Sequence, residues 1–170
     1  MTSDDRVAPP ITGNERDTLR ANLDYHRATL AMKCEGLTDE QLRRTSMPPS
    51  ALSLLALVRH MAEVERAWFR RVFEDADAPM VWSGEMFDFQ AAYDASRGTV
   101  SEAFTAWRDE VETSRRVERE AGSLDVIGHQ PRWEKDVSLR FAVVHVLLEY
   151  ARHNGHADLV REGVDGVVGA

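Results

Sequence analysis

Ser138-Leu139-Arg140-Phe141-Ala142-Val143-Val144-His145-Val146-Leu147-Leu148-Glu149-Tyr150-Ala151-Arg152-His153-Asn154-Gly155-His156-Ala157-Asp158-Leu159-Val160-Arg161-Glu162-Gly163 is the stretch on which the fold turns. It is several times longer than a typical strand of about 5–6 residues and shows no alternation of period two. Ser138 is a helix N-cap by type and Gly163 a stop signal, so a long last helix is expected between them. Phe141, Val144, Leu148 and Ala151 recur at helical spacing and are expected to face inward. The second half changes character: Glu149 and His153 are four residues apart, with His145 and His156 extending the same edge.

Three further helices follow from the same signals upstream. Thr12 with Glu15 reads as a capping box for a first helix carrying Leu19, Leu23, His26 and Leu30, with Gly36 and Leu37 after its end. Thr38 with Gln41 repeats the box for a short helix, and Pro48-Pro49 breaks the chain. Ser53 or Ser50 then caps a helix to about Glu74 whose apolar stripe is Leu54, Leu57, Val58, Met61, Val64, Trp68 and Val72. The segment from Asp75 to Gly98 reads as a connection with its own aromatic contacts and a short helix near Phe89 to Arg97. Thr99 with Glu102 opens a third long helix through Val100, Phe104, Trp107, Val111 and Val117, ending near Gly122. Ser123 to Asp136 reads as a second long connection. Four long helices without a strand pattern predict an all-α bundle in a single domain of residues 1–170, with 1–11 and 164–170 as loosely ordered tails.

The bulk properties exclude several functions. The chain has 170 residues, 43% hydrophobic and 29% charged, and a formal net charge of -8. That charge does not suit a general nucleic-acid binder, which needs a basic surface to neutralise phosphates. No run of about 20 apolar residues spans a membrane, and Met1 to Pro10 lacks the apolar stretch of a signal peptide. A single cysteine, Cys34, fits a reducing compartment, so the expected location is the cytoplasm; by type Cys34 is a small buried hydrophobe.

Residues i and i+4 of a helix project from one face, with Cβ atoms about 6 Å apart, so Glu149 and His153 can reach one ion. His60, between Leu57 and Val64 on an apolar helix, is the natural third ligand from a facing helix. Two histidines and one carboxylate leave coordination positions open, as in catalytic sites. Spacing alone leaves two alternatives standing: His60 as a hydrogen-bonded core residue, and Glu149 with His153 as a solvated surface pair. His26 and His129 read as structural or surface groups.

The phrases Leu57-Val58-Arg59-His60-Met61-Ala62-Glu63-Val64-Glu65-Arg66-Ala67-Trp68-Phe69 and Val137 through Gly166 together resemble the DinB/YfiT-like metalloenzyme superfamily, in its actinobacterial branch related to mycothiol-dependent enzymes. The resemblance covers nearly the whole chain. It implies a four-helix bundle of up-down-down-up order, with a divalent metal held by His60, Glu149 and His153, a set similar to that of mycothiol-dependent maleylpyruvate isomerases. Zinc leads, with nickel, iron and manganese open. His156 becomes a supporting residue or an alternative ligand paired with His153, and Glu63 a possible acceptor orienting His60. Arg152 and Arg161 are candidates for holding a carboxylate on thiol or substrate, against their reading as surface ion pairs with Glu149, Asp158 or Glu162. Trp68, Phe69 and Trp82 are candidates for the pocket lining. The isomerases use an additional C-terminal domain for which 170 residues leave no room, so the implied activity is transfer of a low-molecular-weight thiol, mycothiol, to small electrophiles. The alternatives are a metallohydrolase using metal-activated water and a non-catalytic metal-binding stress protein. The expected partners are a small-molecule thiol and an electrophile, with neither nucleic acid nor membrane, and a homodimer through helix faces.

Overall fold

The computed structural model describes residues 6–169; residues 1–5 and 170, at the far ends of the expected tails, lie outside it. Its helices are α1 (Glu15–Met32), α2 (Asp39–Arg43), α3 (Leu54–Glu65), α4 (Val100–Glu120) and α5 (Leu139–Asp165). A π-helical turn (Arg66–Arg70) and one α-helical turn (Arg71–Phe73) prolong α3, and a 3-10 turn (Phe89–Tyr93) lies in the connection before α4. α3 packs on α4 and α5, and α1 on α5, which makes a helical bundle. No helix among the described residues is long and apolar enough to cross a membrane.

Every residue of α3 from Leu54 to Glu65 is buried, so α3 is the central helix. Leu54, Leu55, Leu57 and Met61 are fully enclosed, and each such side chain contributes roughly 1.5–3 kcal/mol of transfer free energy. The same helix buries four polar residues, and a buried polar group without a partner is costly. Arg59 donates to the carbonyls of Ala92, Arg97 and Ala91 and lies over the Trp82 ring. Glu63 accepts from the Val81 N–H. Glu65 is paired with Arg27 at 2.8 Å through two nitrogens. His60 alone has no hydrogen-bond partner on either ring nitrogen.

The caps at Thr38, Ser53, Thr99 and Ser138 form as expected, the first and third as complete capping boxes. Three expectations are corrected. α1 is capped by Asn14, whose side chain accepts from the Asp17 N–H, not by Thr12. α5 runs through Gly163, which packs against Ser46, and stops two residues beyond the expected tail boundary, where Gly166 adopts a left-handed φ of 81°. The connection before α5 contains a hairpin, β1 (Ile127–Gln130) with β2 (Lys135–Ser138), antiparallel with Ile127 opposite Ser138. Gly128 lets the hairpin approach α3, since a Cβ there would collide with the Val72 carbonyl. The Gln130 amide donates to the Ala67 carbonyl, pinning the hairpin to the π turn.

The inward face of α5 is the largest correction. Phe141 and Leu148 are 45% and 56% exposed, Val144 is exposed and so is Ala151. The buried stripe is Leu139, Ala142, Val143, Val146, Tyr150, His153, Asn154, Ala157, Val160 and Val164. Apolar residues surround the first half of this helix, so periodicity does not choose a face. The polar second half does, because Tyr150 and Asn154 find partners only in the interior, at Glu65 and His26.

Candidate metal centre

The orientation of α5 that buries Tyr150 also turns His153 toward α3 and leaves Glu149 at the edge of the interface. His60 comes from the middle of α3. The three meet with their ligand atoms all within 4.8 Å of one another. His153 Nε2 lies 3.4 Å and His60 Nε2 3.8 Å from Glu149 Oε2, and the two imidazole centroids are 4.6 Å apart. His60 and His153 are 8% and 6% exposed. The Tyr93 ring from the 3-10 turn stacks on His60 at 4.8 Å with an interplanar angle of 20°, fixing the imidazole plane.

The charges follow from these positions. The imidazoles of His153 and His60, with Arg152 helping, hold the Glu149 carboxyl well below the usual carboxylate range. Burial pushes the His60 imidazole below its ordinary value, so its neutral form, with a lone pair to give, dominates at neutral pH. His156 Nδ1 is 3.3 Å from His153 Nδ1, so a hydrogen bond on that side leaves His153 Nε2 as the nitrogen facing Glu149. His145 Nε2 stands 3.9 Å from Glu149 Oε1, and its ring tilts against Trp68 at 4.0 Å.

A cavity of about 240 Å³ opens beside the triad, lined by His60, Glu149 and His145 on one side and by Trp68, Phe89, Tyr93 and Trp133 among others. A larger open groove beside Arg66, Arg70 and Glu110 lies on another face, and its two arginines are already spent on Glu110.

The donor set fits a divalent cation. Ligand atoms on one tetrahedral zinc lie about 3.3 Å apart, given bonds of about 2.0–2.1 Å; the two separations to Glu149, 3.4 and 3.8 Å, are close to that, and all three atoms lie within 4.8 Å of one another, so closing on an ion takes a modest adjustment of the side chains. The orphaned Nε2 of His60 is the independent sign, because a buried ring nitrogen without a partner is a cost that a bound cation removes at that atom.

The family model for mycothiol-S-transferase matches residues 18–166. The chain belongs to the mycothiol-S-transferase family. The match takes in all but the first three residues of α1 and the whole of α5, so it spans every helix that contributes to the triad. No curated protein matches the chain.

In this member of the mycothiol-S-transferase family the remaining candidates are sorted by their contacts. Glu63 is fully buried but turned to the Val81 N–H, and it does not orient His60. Arg152 is exposed and bonds Glu149 at 3.0 Å. Arg161 binds Asp165 and the carbonyls of Lys33 and Glu35, tying α5 to the end of α1, which commits it away from the cavity. Of the aromatic candidates only Trp68 lines the cavity; Phe69 is core, and Trp82 donates to the Arg59 carbonyl. His26 is held by Asn154, and His129 pairs with Asp136 on the hairpin. Cys34 is buried, and burial pushes its thiol up to about 12, which keeps it unreactive. Sequence reasoning missed Tyr93 and the hairpin residues Gln130 and Arg132. The aromatic content of the 75–98 connection was the available signal for Tyr93.

Proposed function

We propose that the chain is a divalent-metal-dependent S-transferase that joins mycothiol to small electrophiles. The observation that carries this reading is a buried imidazole without a hydrogen bond, His60, whose Nε2 faces Glu149 beside His153 in a chain of this family. His60, Glu149 and His153 would hold the cation, zinc first by donor type, with nickel, iron and manganese accepting the same set. When bound, the cation supplies positive charge that favours the thiolate, the nucleophilic form, at neutral pH.

The residues of the chain supply the rest. Glu149 stays ionised and His60 neutral near pH 7, the protonation states a ligand set needs. His156 sets the tautomer of His153 through the contact between their Nδ1 atoms. Trp68, Phe89, Tyr93 and Trp133 wall the cavity with flat apolar surfaces that exclude water and seat an electrophile. In the transfer the thiol sulfur bonds to the electrophilic carbon, the electron pair of the broken bond leaves with the departing group, and the thiol proton passes to solvent. The single buried cysteine supports the cytoplasm as the compartment.

Metal analysis of untagged protein, paired with mycothiol consumption on monochlorobimane, tests the reading. Close to one cation per chain is expected, together with mycothiol-dependent turnover. His60→Ala, folded by circular dichroism, should lose both, with turnover down at least about a hundredfold. A metal-free native protein, or unchanged turnover in His60→Ala, would overturn it. Stoichiometric metal without thiol consumption would favour metal-activated water or a non-catalytic role.

A further inference from the structure

The protein carries a net charge of -8, yet the cavity beside the triad is lined by two arginines, Arg71 and Arg132, and a single carboxylate, Glu149, which belongs to the metal centre. Arg59 and Arg43 are taken up by backbone carbonyls, while many other arginines are matched to acids: Arg27 to Glu65, Arg66 and Arg70 to Glu110, Arg140 to Glu15 and Asp125. The cavity arginines are not. Among the described residues the Arg132 guanidinium has no ion pair and no hydrogen bond; it lies 4.7 Å over the Phe89 ring, which leaves its N–H edge unspent. Its backbone N–H is held by the Gln130 amide oxygen, whose other end is fixed on Ala67, so the residue is placed by a braced turn.

Arg71 is 2% exposed. Nε donates to the Ala78 carbonyl at 2.8 Å and Nη2 to the Pro79 carbonyl at 2.9 Å, which fixes the plane, while the buried Nη1 has no partner. Glu63 acts on it electrostatically from beyond ion-pair distance, with one oxygen taken by the Val81 N–H. Its fork is spent on neutral carbonyls and its charge is offset in part by Glu63, which leaves the buried Nη1 to donate to an anion. Aromatic rings, Trp68, Phe89, Tyr93 and Trp133 among them, line the same cavity. The volume of about 240 Å³ falls below the roughly 300–1,000 Å³ of sites for drug-sized ligands.

We propose that this cavity is an anion subsite for the electrophile, in which Arg132, backed by Arg71, holds the carboxylate of a small planar unsaturated or aromatic acid whose electrophilic carbon carries the leaving group and faces the triad. The assignment rests on the S-transferase reading and narrows its substrate class. Arg132 and Arg71 thus set specificity.

Titration with benzoate and with benzamide, followed by the fluorescence of Trp68 and Trp133 and by calorimetry, tests it on metal-loaded and metal-depleted protein. Benzoate should bind at least tenfold more tightly than benzamide in both forms. Arg132→Met, with metal content at the wild-type level as the control for folding, should lose that preference. Arg71→Lys, which keeps the charge but loses the unpartnered Nη1 donor, should reduce it in part. Equal affinity for the two probes, or a preference that survives Arg132→Met, would overturn the proposal. So would a preference that vanishes on metal removal, which would make benzoate merely a metal ligand. Turnover of mycothiol with the neutral monochlorobimane reports on the S-transferase reading alone, so the two can fail separately.

Discussion

Glu65 lies five residues after His60 on α3, and Tyr150 follows Glu149 on α5, yet the two buried polar clusters these helices build are opposites. In the first, Arg27 grips Glu65 with two nitrogens at 2.8 Å, the Tyr150 hydroxyl donates to Glu65 at 2.8 Å, and the Trp107 indole donates to that hydroxyl at 2.7 Å. The network joins α1, α3, α4 and α5, and its members satisfy one another. In the second, Glu149 stands 3.4 and 3.8 Å from two imidazoles, and His60 has no hydrogen bond on either ring nitrogen. A closed network holds the bundle together and asks for nothing more; an open one at the same depth is a place for a ligand. The fold accepts the cost of the second because the first, with the apolar core around it, secures the helices that carry both.

The contrast can be broken by mutation. Glu65→Ala should have the largest effect on folding, a loss of about 3–5 kcal/mol in urea denaturation, because it removes the buried partner of Arg27, leaving only the half-buried Asp24, and the acceptor of the Tyr150 hydroxyl. Tyr150→Phe should cost about 1–3 kcal/mol, leaving the Trp107 N–H without its acceptor. If either change emptied the metal site while the protein stayed folded, the two clusters would be one unit and the comparison would fail.

Acidification should separate them as well. His60 has a folded-state pKa lowered by burial, so the unfolded chain takes up its proton first as pH falls. Its contribution to stability is therefore complete above about pH 6.5 and declines below it, by up to about 1.4 kcal/mol per pH unit for one excluded proton. Metal-free protein followed by thermal denaturation between pH 7.5 and 5 should show that decline, and metal-free His60→Leu should show less of it. His60→Leu has the smallest expected effect on metal-free stability at pH 7.5, within about 1 kcal/mol of wild type or slightly stabilising, since it replaces a partnerless polar ring by a hydrocarbon. A loss as large as that of Glu65→Ala would mean that His60 is a structural core residue.

Much of the chain was readable because its signals are local. The capping boxes at Thr38 and Thr99, the caps at Ser53 and Ser138 and the apolar face of α3 depend on residues within a few positions of one another, and the structure reproduces each. The Glu149 and His153 pair was legible for the same reason, since helical periodicity alone sets both on one face. What the pair faces was not. The stripe through Phe141, Val144 and Leu148 looked equally apolar, and Tyr150 meeting Glu65 across the interface turned the helix the other way. The hairpin escaped notice because its strands are four residues long and mostly exposed, leaving no alternation to read.

The amino-acid order by itself determined that this chain makes helices, where most of them begin, and that an acid and an imidazole share an edge of the last one. Only the tertiary structure decided that His60 would lack a hydrogen bond, that Tyr93 would stack on it, and that Arg71 and Arg132 would line one small cavity without an ion pair. These are properties of distance between residues far apart in the chain, fixed when the core chooses which side of each helix to bury.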